Sequence, residues 1–506
     1  MKLNRTQSAA RNIIVGSIQK IAAILLPFVV RTVMLHYMGT EYVGLDSLFT
    51  SILSFLSIAE LGVGNALIYS MYKPIAMENS DEICALLNLY KKLYRIIGLI
   101  VLGVGLSLIP FLKYLVKGDC PDDVNFYILY LVYLLNSALS YIFMAYMQSL
   151  LMAHQRNDMI SRCMLFAQAS MYILQVGVLI FFRNYYLYII LLPVCTIAIN
   201  LSTTLLAKKA YPQYFCKGKV SKEVEQSIKK KIAALFGSKI SSVILHASDN
   251  IIISIFLGLT IVTQYGNYYY VMNAVIGLTT VLYSAFVAGV GNSLETESLE
   301  KNLNDFKMLS FLNYWITMFC ACSLLCLYQP FIEVWAGEDL LFPFHIVILF
   351  AIYFYIYQSY RIVLTYKDAA GIWWEDRFRP YVIMIVNVIG NVILIQIIDV
   401  TGVVLSTIIS LIISVPWATY TVYKYIFKTD MKQYSFNMLI HIFVAALCCA
   451  LSYLICSYIP FAGYTALFVR LPVCIIVPNV LYFFIFRKSL EFRKCKNLIL
   501  SILHRK

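Results

Sequence analysis

The sequence predicts an all-α, polytopic membrane protein that crosses the bilayer about fourteen times as helices. Of its 506 residues, 61% are hydrophobic and only 13% are charged. An ordinary soluble domain carries about 25% charged residues. The apolar residues gather in runs of about 20, the length that an α-helix needs to cross a hydrocarbon core of about 30 Å. Because lipid offers no hydrogen-bond partner to the backbone, these runs must be helical.

A lysine-rich segment divides the predicted spans into two groups. The spans that precede it are predicted at residues 12–37, 43–72, 87–114, 124–152, 160–182 and 185–207. The spans that follow it are predicted at residues 234–257, 264–294, 304–328, 340–366, 377–398, 402–427, 436–457 and 463–487.

The dividing segment, Ala207–Lys231, contains eight lysines and hardly an apolar run, so we interpret it as a cytoplasmic linker. Span two ends in Gly62–Leu67 (GVGNAL), and the second span after the linker ends in Gly289–Leu294 (GVGNSL). This repetition predicts two pseudo-symmetric six-helix bundles, at 1–207 and 234–430, joined by the linker at 208–233. Two extra spans and a basic cytoplasmic tail occupy 431–506. An even number of spans in each bundle makes the repeats parallel, with a site expected between them.

The distribution of positive charge predicts the orientation. Of the 40 Lys and Arg residues, 33 fall in the tails, loops and helix ends on the side of the N-terminus, and four on the opposite side. Cytoplasmic loops carry such an excess of Lys and Arg. We therefore expect a multi-pass protein of the cytoplasmic membrane with both termini in the cytoplasm. The net charge of +14 then reflects topology, and we expect no nucleic-acid partner, because the lysines are spread over many short loops.

Several kinds of site are absent from the sequence. The 13 cysteines lie mostly within apolar runs and lack the paired spacing of a zinc or iron–sulfur site, so we interpret them as small hydrophobic residues. The histidines form no HExxH pair, and no GxxxxGK[ST] segment is present for nucleotide hydrolysis. We expect no metal and no organic cofactor.

Charged residues inside the predicted spans are the candidate functional residues, because charge in the bilayer is costly. Lys20 and Arg31 are eleven positions apart in span one, which places them on one helix face. Lys239 lies in span seven, the repeat partner of span one, and Arg361 lies near the inner end of span ten. Each cation can instead extend its side chain to an interface, Arg31 outward and the other three inward.

Short acidic side chains near mid-membrane cannot reach an interface. Glu60 precedes the GVGN stretch of span two, and Asp249 lies in span seven beside His246 and Asn250. We expect these residues to pair with the cations in a cavity or to bind a coupling ion.

The repeated glycines Gly62, Gly64, Gly289 and Gly291 remove side chains from spans two and eight. Close helix packing explains such glycines. A second interpretation is that they let the helix bend during transport.

Several stretches together resemble the Wzx-type polysaccharide flippases of the polysaccharide transporter family, within the multidrug/oligosaccharidyl-lipid/polysaccharide (MOP) exporter superfamily. The resemblance extends to about residue 430. The matching stretches are HYMGTEYVGLDSLF (His36–Phe49), AELGVGN (Ala59–Asn65), MYKP (Met71–Pro74), SDNIIIS (Ser248–Ser254), YGNYYYV (Tyr265–Val271), GVGN (Gly289–Asn292), YKDAAGIWWEDRFRP (Tyr366–Pro380) and TGVVLSTIIS (Thr401–Ser410).

The resemblance implies a MATE-like fold and export of an undecaprenyl-diphosphate-linked O-antigen or capsule repeat unit across the bacterial cytoplasmic membrane, by alternating access. On that basis we expect Arg31, Lys20, Lys239 and Arg361 to bind the diphosphate. Coupling to H⁺ or Na⁺ is expected at Glu60 and Asp249. A polysaccharide polymerase and a chain-length regulator are expected partners, besides the lipid bilayer.

Three alternatives share this composition. A flippase for the peptidoglycan lipid precursor is not separated from the first interpretation by any residue. A cation-coupled drug exporter would need a cavity richer in acids than in cations, contrary to the candidate residues. A membrane glycan polymerase would be an enzyme with a large external loop, and the predicted external loops span only about 5–12 residues. We therefore expect a transporter.

Overall fold

The fold is all-α, as the sequence predicts. The computed structural model describes residues 5–60, 63–118 and 120–503, without the side chains at 5–14, 17, 59, 65, 230–231, 233–239, 242, 246, 281–282, 284–288 and 498–503. No strand occurs among the described residues. The chain divides into two compact units, unit 1 at residues 1–263 and unit 2 at residues 264–506.

The described part of unit 1 contains nine α-helices and the first residues of a tenth. They are α1 (Arg5–Tyr37), α2 (Thr40–Leu56), α3 (Val63–Ala76), α4 (Ser80–Ser107), α5 (Phe126–Ile142), α6 (Tyr146–Ala153), α7 (Asn157–Phe181), α8 (Tyr185–Ala210) and α9 (Lys222–Leu257). Four of these helices begin at a short polar residue whose side chain accepts hydrogen bonds from backbone N–H groups of the first turn. These residues are Asn79 before α4, Asn125 before α5, Asn184 before α8 and Ser221 before α9. These N-caps satisfy donors that a helix start leaves open.

Unit 2 contains most of α10 and all of the following helices. They are α10 (Leu259–Thr296), α11 (Leu299–Ala336), α12 (Phe344–Ser359), α13 (Arg361–Ala370), α14 (Arg379–Val422), α15 (Lys432–Ser457), α16 (Gly463–Phe486) and α17 (Leu490–Leu503). Helix α14 consists of two arms, 379–397 and 400–422, because Ile398 and Asp399 have non-helical backbone angles. The arms correspond to the two spans predicted at 377–398 and 402–427.

A tight turn joins α10 to α11. The Lys301 ammonium is 2.6 Å from a carboxylate oxygen of Glu297, and the Ser298 hydroxyl caps the first turn of α11. The Asn302 amide donates to the Ser293 carbonyl at 2.9 Å. Five residues therefore fix the direction in which the chain reverses.

Eight helical segments of the described chain are long and apolar enough to cross a membrane, or up to ten when each bent pair counts as one span. The protein is therefore a multi-span helical membrane protein. Three predicted spans are interrupted: span two by a 3₁₀ turn at Ser57–Glu60, span three by a 62° bend after α4, and span four by a 49° bend between α5 and α6. The apolar runs continue through these interruptions, so hydropathy alone did not reveal them.

The predicted linker is partly helical and partly a loop fixed to unit 1. Helix α9 already begins at Lys222. In the preceding loop, the Gly218 carbonyl accepts from the Asn88 amide at 2.9 Å, and the Tyr211 ring stacks on His154 with centroids 4.1 Å apart. The predicted domain boundaries and the internal repeat stay predictions.

Helix α17 was not predicted, because its sequence was interpreted as a basic tail. Its Lys494 ammonium donates to the Asn304 side chain of α11 at 3.2 Å, and the ring of Phe492 lies 5.8 Å from that of Trp315. The segment after the last span therefore packs on the first half of α11.

Candidate functional site

Arg31 lies on α1 and points into unit 1. Its guanidinium donates to the Ser47 hydroxyl on α2 and to the Thr263 carbonyl, both at 3.4 Å. The side chain is half-buried. Both oxygens are neutral and both distances are long for N–H···O bonds. A planar guanidinium held in this way retains the shape that binds two phosphate oxygens at once.

An acid that sequence reasoning missed lies beside Arg31. Asp46, on α2, accepts a hydrogen bond from the Tyr133 hydroxyl and interacts electrostatically with Arg31. The hydroxyls of Tyr133 and Tyr185 are 3.2 Å apart, and Tyr188 interacts electrostatically with both Asp46 and Arg31. We call these five residues the Arg31–Asp46 site. The sequence did contain a signal for Asp46, because this acidic residue lies inside the second predicted span.

Glu60 lies at a separate place in unit 1, where span two is interrupted. It borders a cavity of about 390 Å³ whose polar lining includes Glu60, Tyr90, Tyr94, Gln148, Thr196 and Asn200. The Tyr94 hydroxyl donates to the Glu60 carboxylate at 2.7 Å, and Tyr90 donates to Tyr94 at 3.0 Å. This cavity could admit water or a small cation beside a carboxylate.

Gly64 leaves room for the Glu60 cluster. A Cβ at Gly64 would lie 3.1 Å from both the Glu60 carboxylate and the Tyr90 hydroxyl, tighter than ordinary contact. By contrast, a Cβ at Gly289 or Gly291 would meet none of the described atoms within 4 Å, and α10 continues through both. Gly62 lies outside the described residues. The proposed role of the four glycines in helix bending stays a prediction.

The polar residues of span seven belong to unit 1 as well. Asp249 is buried, and the Asn250 amide donates to the Ser51 hydroxyl at 3.0 Å, which joins α9 to α2. The side chains of Lys239 and His246 lie outside the described residues.

Two further candidate cations, Lys20 and Arg361, lie in described parts of the chain. Lys20 is exposed on α1, which agrees with a side chain that extends to an interface. Arg361 is the first residue of α13 in unit 2, half-buried and in electrostatic contact with Tyr283 and Tyr357.

A second charge cluster, in unit 2, was not recognised in the sequence. Asp376 accepts from the Lys367 ammonium at 3.1 Å and from the Arg379 guanidinium at 2.6 Å. Arg379 also donates to the Ser414 hydroxyl at 2.7 Å. All three charged residues are at most 6% exposed. Because each charge is paired, the cluster fixes the loop between α13 and α14, and removal of one partner would leave a buried charge uncompensated.

A comparison with protein families matches residues 9–287, more than half of the chain, to the family described as "Polysaccharide biosynthesis protein". The chain belongs to this family. No curated protein matches the sequence.

Several solved structures are similar in fold over most of this chain. This polysaccharide biosynthesis protein is similar to lipid II flippase MurJ in an inward closed conformation, at a TM-score of 0.66 and 15% identity over 93% of this chain and 98% of that one. It is also similar to an inward-facing multidrug resistance MATE transporter of the MOP superfamily, at a TM-score of 0.58 and 13% identity over 80% of this chain and 98% of that one. The Vibrio cholerae MATE transporter VcmN in the bent form is similar at a TM-score of 0.53 and 12% identity, over 83% of this chain and 95% of that one. At these identities the likeness shows the fold alone, an all-helical fold like those of MurJ and the MATE transporters.

Proposed function

We propose that this chain is a flippase that exports an undecaprenyl-diphosphate-linked oligosaccharide repeat unit across the bacterial cytoplasmic membrane. The observation that carries the proposal is the half-buried Arg31 of unit 1, in a chain of the polysaccharide biosynthesis family with a MOP-transporter fold. Its cargo would be the lipid-linked precursor of an O-antigen or a capsule. The chain would transport this precursor and not alter it chemically.

The diphosphate is the part of this substrate that cannot cross lipid alone. Transfer of an isolated ionised group into hydrocarbon costs tens of kcal/mol in a Born treatment, so the protein must replace the water around it. Arg31 would bind the diphosphate through paired hydrogen bonds. Lys20, Lys239 and Arg361 would add positive charge along the route.

The neighbouring acid Asp46 would suit Arg31 to the role of a carrier. Asp46 lies close enough to Arg31 to interact with it electrostatically. A diphosphate that displaced the neutral oxygens of Ser47 and Thr263 would offer Arg31 two charged acceptors in their place. Asp46 would then disfavour permanent binding of the anion. This matters because a transporter must also release its cargo.

The membrane potential supplies part of the driving force. An inside-negative potential favours the outward movement of two negative charges by about 2.3 kcal/mol per charge per 100 mV. The return step would be coupled to H⁺ or Na⁺, and Glu60 with its cavity, or Asp249, would bind the ion. No organic cofactor is needed for either step.

The partners follow from this cargo. A polysaccharide polymerase would consume the exported repeat units, and a chain-length regulator would act with it. Both would meet the chain in the bilayer.

The principal alternative is a flippase for the peptidoglycan lipid precursor. It is favoured by the similarity to lipid II flippase MurJ. Both candidate substrates present a diphosphate on a polyprenyl chain, so Arg31 would serve either one. The cationic side chain of Arg31 is less suited to a drug exporter. The short predicted external loops are less suited to a glycan polymerase.

Complementation separates these functions. The chain should restore surface polysaccharide in cells that lack their own repeat-unit flippase, and the Arg31→Glu variant should not. Rescue of cells depleted of their lipid II flippase, without rescue of the polysaccharide strain, would assign the alternative cargo. Resistance to cationic drugs as the sole phenotype would overturn both.

A further inference from the structure

Three cysteines from three different helices meet in unit 2. Cys326 lies on α11, Cys456 on α15 and Cys474 on α16, and each is at most 2% exposed. Their three Sγ atoms all lie within 4.8 Å of one another. Sequence spacing could not reveal this cluster, because its members are brought together only by helix packing. We call it the thiol triad.

The geometry of the thiol triad fits a three-coordinate metal ion. With metal–sulfur bonds of about 2.3 Å, a trigonal plane places its sulfur atoms about 4.0 Å apart. The thiols therefore need to close by less than about 1 Å to reach that spacing. A structural zinc ion prefers four ligands, whereas three ligand atoms meet here among the described residues. Thiolates without oxygen or nitrogen ligands select soft ions such as Cu(I).

Further soft ligands continue along the same helices. One turn before Cys326, the Cys322 Sγ is 3.3 Å from the Cys449 Sγ and 3.9 Å from the Met318 sulfur. The thiol triad is thus one end of a row of sulfur atoms between α11 and α15. A row of this kind offers a soft ion successive ligands and a harder ion none.

A positive charge lies beside the thiol triad. Arg470 precedes Cys474 by one turn of α16 and interacts electrostatically with the thiols of Cys456 and Cys474. Its Nε is buried and has no hydrogen-bond partner among the described residues. A cation so placed favours an anionic thiolate complex in a medium of low dielectric constant.

We propose that Cys326, Cys456 and Cys474 form a binding site for one Cu(I) ion, independent of the transport function proposed above. Binding follows Cu⁺ + 3 RSH → [Cu(SR)₂(HSR)]⁻ + 2 H⁺, in which three Cu–S bonds form, two thiols lose protons to solvent and no electron is transferred. The positive charge of Arg470 offsets the negative charge of the complex. The bound ion links the last two spans to α11.

The test uses the full-length protein, purified in detergent with a phosphine reductant and titrated anaerobically with Cu(I) against a chromogenic chelator. Wild type should retain one Cu(I) per chain, with sulfur as the only neighbour in X-ray absorption spectra. Each of Cys326→Ala, Cys456→Ala and Cys474→Ala should lower the affinity at least tenfold. The matched control is Cys195→Ala, a buried cysteine of unit 1, which should bind as wild type does.

Two further measurements decide the remaining outcomes. The Cys322→Ala/Cys449→Ala variant should keep the tight ion, and Arg470→Gln should weaken it. Copper should raise the melting temperature of wild type and of the Cys195→Ala control but not of the triad variants. Equal copper affinity in wild type and in a variant that lacks all three triad thiols would overturn the proposal. Loss of binding only in the Cys322/Cys449 variant would overturn it too. If the triple alanine variant does not fold, the single Cys→Ser variants give the same comparison.

Discussion

Arg31 shows at the level of one residue how an intramembrane charge is kept available. Its hydrogen-bond acceptors Ser47 and Thr263 are neutral, and its nearby acid, Asp46, bonds to the Tyr133 hydroxyl. The bonds from Arg31 to Ser47 and Thr263 are both 3.4 Å long, which is long for an N–H···O bond. A substrate diphosphate would offer the guanidinium charge-assisted bonds, which are shorter and stronger.

Substitution of Arg31 should therefore impair transport more than stability. Arg31→Lys keeps the positive charge and loses the planar pair of donors. We expect this change to lower export about tenfold or more, because that factor corresponds to the loss of one charge-assisted hydrogen bond. Arg31→Ala and Arg31→Glu should be worse. Export of lipid-linked glycan is measured in cells lacking their own flippase, with membrane abundance measured in parallel.

The matched control is Arg183→Glu, at an exposed arginine packed over the Tyr37 ring. It should export normally. Near-normal export by Arg31→Glu at normal abundance would mean that Arg31 only anchors α1 at the interface.

Glu60 and Asp249 should carry the ion dependence of transport. Glu60→Gln retains an oxygen that can accept from Tyr94, and Asp249→Asn is equally conservative, but neither variant carries a negative charge. We expect one of them to make export insensitive to an imposed H⁺ or Na⁺ gradient while glycan binding is unchanged. The control is Asp81→Asn at an exposed position of α4. A normal gradient response in both variants would make these acids structural partners of the cations.

The sequence predicted the charged residues of the site but not their surroundings. Arg31 and Glu60 were identified because charge in an apolar run is conspicuous. Asp46 and the tyrosines around it became recognisable only when α2, α5 and α8 were brought together. The Lys367–Asp376–Arg379 cluster was missed because Asp376 lies in a loop and its two partners lie close to helix ends, where charge is unremarkable.

At the level of elements, the two arms of α14 are a hairpin that depends on glycine. A Cβ at Gly402 would clash with the backbone of Leu394 on the opposite arm, and a Cβ at Gly390 would clash with the Ser406 side chain. The Asn387 amide also donates to the Thr407 hydroxyl at 3.0 Å. Small residues let the two backbones approach closely, as is common between membrane helices.

Gly402→Ala should therefore destabilise unit 2. The added methyl meets backbone, which cannot rotate away, and overpacking of this kind costs about 1–3 kcal/mol. We expect a lower melting temperature in detergent. Gly103→Ala on α4, where a Cβ meets none of the described atoms within 4 Å, should leave it unchanged. Equal melting temperatures for both variants would show that the two arms can move apart without loss of stability.

The turn after α6 should make the stability of unit 1 sensitive to acid. Burial against Tyr211 lowers the pKa of His154, so the unfolded chain binds a proton at a higher pH than the folded one. Its contribution to stability is complete above the unfolded pKa of about 6.5 and is lost as the pH falls from there towards the folded pKa. His154→Phe keeps the stacked ring and should reduce the fall in melting temperature between about pH 7.5 and 5.5.

The control is His345→Phe, at an exposed histidine of α12, which should retain the pH dependence of wild type. If His154→Phe retains it as well, acid acts on another group.

The predictability of the elements follows from what hydropathy measures. Span ends such as Tyr37 and Ser457 were predicted because lipid-facing runs stop there. The bend between α5 and α6, where Met144 has a φ of 56°, lies within a continuous apolar run and has no such signal. Helix α17 was missed for the opposite reason, because a charged tail resembles a solvated one until α11 is seen to cover its apolar face.

At the level of the whole molecule, the orientation remains to be measured. The excess of Lys and Arg on one side predicts that the linker at 208–233 and the C-terminal segment are cytoplasmic. A cysteine introduced at Lys219 or Lys488, both exposed, should escape an impermeant thiol reagent on intact spheroplasts and react after lysis.

A cysteine at Lys117, which is exposed and predicted external, should react before lysis. The background for these variants lacks reactive native cysteines. Labelling at Lys219 on intact spheroplasts would reverse the topology and remove the basis for parallel repeats.

The turn between α10 and α11 has a practical consequence for imaging. Helix α11 has 38 residues, about 57 Å of helix, roughly twice the thickness of the hydrocarbon core. Its first turns carry Glu300, Lys301 and Asp305, so the surplus length extends from the bilayer at that end. Electron cryomicroscopy of small transporters suffers because a detergent micelle hides most of the particle. A rigid soluble domain grafted between Glu297 and Ser298 would stand clear of the micelle and give each particle image a feature for alignment.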